Sequence, residues 1–297
     1  LKGLKEMIDL QVPVRGLSIH VEMEGDPHLP AIVFLHGFTG TASTWNEVRK
    51  ELEGKYRTIA IDLTGHGKTS IPDKPERYSM EEQIKDLEAL FGHLKLDSFY
   101  LVGYSMGGRI SLAYTINYPE RVKALILESS SPGLSEEQDR AARKAADKLL
   151  ASKIIEEGIT TFVDKWENIP LFDSQKSLPA EKRRAIRKER LQQNEIGLAN
   201  SLLGIGTGSQ DSYWKALHSI SNPVFLTTGE LDAKFVAIAR EMNLLSPTWR
   251  HAVVPGAGHA IHVEKPRLFA TMVMEYLQDL YLEEEENDTS MGNDPYI

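Results

Sequence analysis

The segment Gly103-Tyr104-Ser105-Met106-Gly107 constrains this chain more than any other. It reads G-x-S-x-G. The apolar run Phe99-Tyr100-Leu101-Val102 precedes it, and the helical pattern Gly108, Arg109, Ile110, Leu112, Ala113, Ile116 follows. A strand that turns at once into a helix leaves no room for side chains beside the turn, so glycines flank the serine. The turn lifts the Ser105 hydroxyl toward a cleft, and the free N–H groups of the helix N-terminus point at the same place. In that context Ser105 reads as a reactive residue rather than a chance serine in a glycine turn.

Strand and helix patterns alternate along the chain, which predicts an α/β fold: a mostly parallel sheet with helices on both faces. Residues near 8–14 and 17–24 read as an antiparallel pair joined at Arg15-Gly16. Ala31–Leu35 suits a central strand and ends in His36-Gly37-Phe38-Thr39-Gly40. Arg57–Leu63 is the next strand and runs into Asp62-Leu63-Thr64-Gly65-His66-Gly67. Ser79 opens a helix to about Leu94, with Glu82 as its capping-box partner. Val122–Leu127, Pro223–Thr227 and His251–Val254 complete the strands, and a helix from about Pro266 to Leu282 closes the fold.

Residues from about 131 to 219 break the alternation. Gln138–Glu157, Ile159–Trp166, Ala180–Glu195 and Leu198–Leu203 show helical periodicity, with no convincing strand among them. The expected organisation is a core of residues 1–130 and 220–282, an inserted helical cap of residues 131–219, and an acidic, disordered tail of residues 283–297. The tail contains Glu283-Glu284-Glu285-Glu286-Asn287-Asp288, a large part of the net charge of −9. An acidic chain is a poor general binder of nucleic acid. No apolar run reaches bilayer length, and Leu1–Met7 lacks the apolar core of a secretory signal, so no membrane partner is expected. The chain has no cysteine, which excludes disulfides, thiolate catalysis and cysteine-ligated metals, and fits a cytoplasmic protein. No metal and no cofactor are expected.

Ser105 needs a base, because a neutral hydroxyl is a feeble nucleophile and a feeble base. In this architecture the partners follow in the chain, acid first and histidine last. Asp232, in Gly229-Glu230-Leu231-Asp232, and His259, in Gly256-Ala257-Gly258-His259, both lie just past strands, where open α/β sheets collect ligands. Glu230 is the rival of Asp232, which also reads as the N-cap of the next helix; His262 is the rival of His259. Backbone N–H groups of Phe38 and Met106 are the candidates for an oxyanion site, with His36 holding its loop by hydrogen bonds. Arg109 sits in the first helical turn after Ser105, where a cation opposes the helix dipole. It reads either as half of a salt bridge or as a clamp for a substrate carboxylate. The basic run Lys182–Arg190 has interleaved glutamates and no aromatic neighbours for base stacking, so it reads as a mostly solvated cap helix.

Leu35-His36-Gly37-Phe38, Asp62–Gly67, the Ser105 turn and Ala257-Gly258-His259 resemble the α/β-hydrolase superfamily over nearly the whole chain. More specific strings are Gly103–Arg109, Glu128 followed by Pro132-Gly133-Leu134, Trp166–Phe172, Gly206-Thr207-Gly208-Ser209-Gln210 and Gly229–Phe235. Together they resemble the 2-succinyl-6-hydroxy-2,4-cyclohexadiene-1-carboxylate (SHCHC) synthases of menaquinone biosynthesis. The resemblance implies an α/β-hydrolase fold with a helical cap, and elimination of pyruvate from a small polyanionic substrate. It implies a triad of Ser105, Asp232 and His259, carboxylate-binding Arg109, Arg143 and Arg190, and cleft aromatics Tyr104 and Trp166. A carboxylesterase or carbon–carbon bond hydrolase on the same triad is the alternative enzyme. A binding protein that lost its chemistry is the third reading, against which the intact order Ser105, Asp232, His259 argues.

Overall fold

A computed structural model describes residues 7–291. Eight strands form one sheet: β1 (Ile8–Val14), β2 (Leu17–Glu24), β3 (Ala31–Leu35), β4 (Arg57–Ile61), β5 (Phe99–Tyr104), β6 (Val122–Glu128), β7 (Val224–Gly229) and β8 (Arg250–Val254). Their spatial order is β1-β2-β4-β3-β5-β6-β7-β8. Pairing is antiparallel from β1 through β2 to β4 and parallel from there on. The central strands bury both faces. Val33, Leu35 and Leu101 enter one core cluster, and Ile32, Phe34 and Val102 the other, as the two-residue period of a strand dictates.

The helices of the core are α1 (Asn46–Glu51), α2 (Met80–His93) and α3 (Met106–Asn117) before β6. Between β6 and β7 come α4 (Glu137–Trp166), α5 (Ala180–Leu191) and α6 (Glu195–Ile205). After β7 follow α7 (Ala233–Leu245), α8 (Ile261–Glu264) and α9 (Pro266–Met291). The helix α4 is broken at Gly158, whose φ of +81° only glycine adopts at low cost. Past that break, Phe162 and Val163 join Ala151, Ile154 and Leu198, Ala199, Leu202 of α6 in a small core separate from those of the sheet.

The acidic end differs from expectation. In place of a disordered tail from residue 283, α9 continues to Met291; residues 292–297 lie outside the described residues. Glutamate is a good helix former when its charge is answered. Arg250 answers it by bonding Asp279 at 2.6 Å and Glu283 at 2.8 Å, one turn apart on α9. Among the described residues, no helix is long and apolar enough to cross a membrane, and no group of three or more His, Asp or Glu could hold a metal.

The loop after β4 carries a buried imidazole. His66 is packed between His36 and Phe38, with ring centroids 5.1 and 5.9 Å away, and its Nε2 has no hydrogen-bond partner. Burial, aided by the neighbouring His36, pushes its pKa down from 6.5 to about 3. The unfolded chain therefore binds more protons than the folded one between those values, so stability rises with pH across that window. The contribution is complete above pH 6.5 and is lost as pH falls toward 3. Urea unfolding should show a clear loss of stability from pH 7 to pH 5, and His66→Asn should flatten that dependence. An unchanged slope in the variant would assign the acid sensitivity to other groups, the buried His36 among them.

Candidate active site

At the C-terminal end of β5 the chain reverses within one residue. Ser105 has φ +50° and ψ −108°, a strained conformation for a residue with a Cβ. Three bonds hold it: Ser105 N–H donates to the Glu128 carbonyl at 2.9 Å, and its own carbonyl accepts from Arg109 N–H at 3.0 Å and Ser130 Oγ at 3.1 Å. Glycine makes this approach sterically possible. A Cβ on Gly107 would lie 2.3 Å from the Leu35 carbonyl oxygen, and one on Gly103 2.6 Å from that of Gly107.

His259 arrives from the loop after β8. Its Nε2 lies 3.1 Å from Ser105 Oγ, and its Nδ1 lies 2.6 Å from Asp232 Oδ2. The ionised carboxylate only accepts, so Nδ1 carries the proton and Nε2 is free to accept from the serine hydroxyl. Asp232 also caps α7: its second oxygen accepts from Phe235 N–H at 3.4 Å. The rivals are occupied elsewhere. Glu230 accepts from Gly256 N–H at 2.8 Å. His262 is fully buried, its Nδ1 2.9 Å from Glu128.

The loop after β3 faces Ser105 from the other side. His36 Nε2 accepts from Leu63 N–H at 3.0 Å, so its Nδ1 is the donor to the Gly37 carbonyl at 2.8 Å. Burial lowers its pKa, which favours this neutral tautomer. Phe38 follows in the turn, and Met106 is the first residue of α3, whose N–H has no intrahelical acceptor. Both line a cavity of about 200 Å³ together with Ser105 and His259.

Most of that cavity's lining is apolar and aromatic, and no carboxylate is among the described residues that line it. Arg109, Arg143 and Lys234 line it. Arg109 is buried, and among the described residues no carboxylate lies within ion-pair distance of it. Its Nη1 donates to the neutral Gln210 side chain. Burial, then the nearby Arg143 charge, lowers its pKa to about 10, so it stays charged at neutral pH. Arg143 reaches in from α4 and donates to Asp147 at 2.8 Å, whereas Arg140, one turn earlier, is spent on the Leu134 and Ser135 carbonyls. Arg190 is buried in an adjoining space with Tyr104 and Phe38, its guanidinium 4.5 Å from the Phe172 ring centre. Its only polar side-chain partner among the described residues is Gln175, at 3.3 Å. Trp166 lines the main cavity and at the same time stacks on Phe162 at 5.5 Å.

Lys234, Gln210 and the Phe235 ring, 4.6 Å from His259, were not singled out from the sequence as site residues. Their signal was present: Lys234 and Phe235 open the helix after Asp232, and the first turn after a strand-end acid faces the same cleft.

This chain belongs to the α/β-hydrolase family: the sequence model of the alpha/beta hydrolase fold matches residues 30–266. Two curated relatives place it more finely. A Bacillus subtilis protein provisionally named 2-succinyl-6-hydroxy-2,4-cyclohexadiene-1-carboxylate synthase is 46% identical over 265 residues, which is 89% of this chain and 96% of that one. The synthase of that name from Salmonella agona is 33% identical over 84% of this chain and 95% of its own. Among solved structures, MenH from S. aureus superposes with a TM-score of 0.83 at 36% identity, covering 88% of this chain and 98% of the other.

The strain at Ser105 gives a stability test. Ser105→Gly removes the Cβ that makes φ +50° costly and should stabilise the protein by about 1 kcal/mol. Ser105→Ala keeps the Cβ and should gain less. Thermal or urea unfolding of the two variants reads the difference; equal stabilities would show that the turn is relaxed.

Proposed function

We propose that the protein is an SHCHC synthase of menaquinone biosynthesis. It eliminates pyruvate from 2-succinyl-5-enolpyruvyl-6-hydroxy-3-cyclohexene-1-carboxylate, with Ser105, His259 and Asp232 as the catalytic residues. The observation that carries this reading is the pairing of a hydrogen-bonded Ser105–His259–Asp232 chain with the buried Arg109, which no carboxylate neutralises among the described residues.

His259, oriented by Asp232, takes the Ser105 proton, and the serine oxygen removes the proton α to the succinyl ketone. The resulting enolate oxygen resembles the oxyanion of ester hydrolysis, so the Phe38 and Met106 N–H groups can stabilise it as they would that oxyanion. The electron pair shifts through the ring double bond, and the carbon–oxygen bond to the enolpyruvyl group breaks. The leaving enolate takes at carbon the proton that His259 gives up, and departs as pyruvate, which restores Ser105 and neutral His259. No water attacks and no acyl-enzyme forms. Arg109 and Arg143, with Arg190 behind Tyr104, hold the substrate carboxylates, and Trp166 closes over the ring. The cap, residues 131–219, excludes water from the reacting centre. The partner is thus a small polyanion rather than nucleic acid or membrane, and we place the reaction in the cytoplasm, which the cysteine-free sequence fits.

The purified protein should release pyruvate from the pathway substrate, and Ser105→Ala should lower kcat by about a thousandfold or more with the fold intact. Turnover of activated esters without pyruvate release would favour the carboxylesterase reading on the same three residues.

Arg109→Ala should lower kcat/KM for the pathway substrate by about a hundredfold, about 3 kcal/mol. Arg109→Lys keeps the charge but loses the bidentate fork, so it should remain clearly impaired. Any residual turnover of a neutral ester should barely change. Equal losses on both substrates would make Arg109 a support for the turn rather than a reader of carboxylates.

A further inference from the structure

The basic run on α5 does more than face solvent. It forms one wall of a second groove of about 320 Å³, lined by Lys176, Arg183, Arg184, Arg187 and Arg190, with Glu167 as its acid. Some of these charges are answered: Arg187 pairs with Asp164 and Glu167 at 2.6 and 2.5 Å, and Lys176 with Asp173 at 2.5 Å. Among the described residues Arg183, Arg184 and Arg190 have no carboxylate within ion-pair distance. Arg183 and Arg184 are exposed, and Arg190 is buried at the inner end.

The groove adjoins the site. Phe172, Gln175, Ile186 and Arg190 line both the groove and a small inner space of about 50 Å³. That space in turn shares Phe38, Tyr104 and Phe172 with the cavity holding Ser105 and His259. Cations thus run from the surface of the cap inward to Arg190, past Glu189 in the inner space, with the unpaired Arg109 and the Asp147-paired Arg143 beyond. A separate pocket beside His259 is lined by Asp173 and Asp232 instead.

We propose that this groove is the approach vestibule for a polycarboxylate, captured electrostatically by Arg183 and Arg184 and passed inward by Arg190. This rests on the polyanionic substrate of the synthase reading. The physical need is plain: a chain of net charge −9 repels an approaching polyanion. A local basic field at the mouth reverses that repulsion over roughly a Debye length, about 10 Å at 0.1 M salt. Such a device acts on the association rate and leaves the bound complex alone.

Stopped-flow tryptophan fluorescence, with Trp166 lining the cavity, can follow binding of benzene-1,2,4-tricarboxylate as the probe. The association rate constant should fall steeply with added NaCl. The variant R183E/R184E should associate about tenfold more slowly at low salt, with an unchanged dissociation rate, and should converge on the wild type at about 0.5 M salt. R183Q/R184Q should lie between, and the unchanged dissociation rate shows that the inner site is intact. Equal association rates at low salt, or no binding of the probe by the wild type, would overturn the proposal. Failure of the synthase reading shows separately, as absent pyruvate release by the wild type.

Discussion

The rest of the site depends on one strained residue. Ser105 must turn the chain from β5 into α3 without a spacer, and the cost of its positive φ has to be met by what surrounds it. The glycines on either side let α3 settle onto β3 and β5 at distances no side chain would allow. The same close approach sets the Ser105 hydroxyl beside the loop after β3, so the geometry that costs stability is also what brings Phe38 and Met106 to one cavity. A relaxed turn would move the hydroxyl back toward the sheet.

Electrostatics give the cavity its character. Burying Arg109 without a carboxylate is costly, and a neutral Gln210 orients the guanidinium without cancelling its charge. Arg143 shows the contrast: it is paired with Asp147, whose own pKa burial raises. A protein built for stability alone would have given Arg109 a carboxylate. On the function proposed above, a substrate carboxylate arriving at Arg109 would recover that cost as binding affinity.

Much of this was legible in the sequence because the informative residues are local. The G-x-S-x-G turn, the strands that frame it and the order Ser105, Asp232, His259 are each readable from a few adjacent positions. Asp232 and Glu230 differ in space: one faces His259 and the other ties the loop at Gly256. Arg143 on α4 and Arg190 on α5 rest on the family resemblance, because on a charged helix nothing local tells which turn faces inward. In the structure, neighbouring Arg140 and Arg187 are consumed by carbonyls and surface acids. Gln210 carries no local signal, because it meets Arg109 only once the segment after α6 is folded against α3. The acidic end was read from charge alone, which ignored Arg250 on a strand distant in sequence.

The second buried histidine pair explains how the parts stay in register. Glu128 ends β6, and its carbonyl accepts the Ser105 N–H at 2.9 Å. Its carboxylate accepts from the His262 backbone N–H at 3.0 Å and approaches His262 Nδ1 at 2.9 Å. One residue therefore grips the serine turn with its main chain and the segment just after His259 with its side chain. Tyr104 fills the space between, its ring centre 5.3 Å from that of His259 and 4.6 Å from that of His262. Two segments 154 residues apart in sequence are thus referred to a single strand end. That common anchor fixes both partners of the 3.1 Å contact between Ser105 and His259, a contact whose strength depends on such positioning.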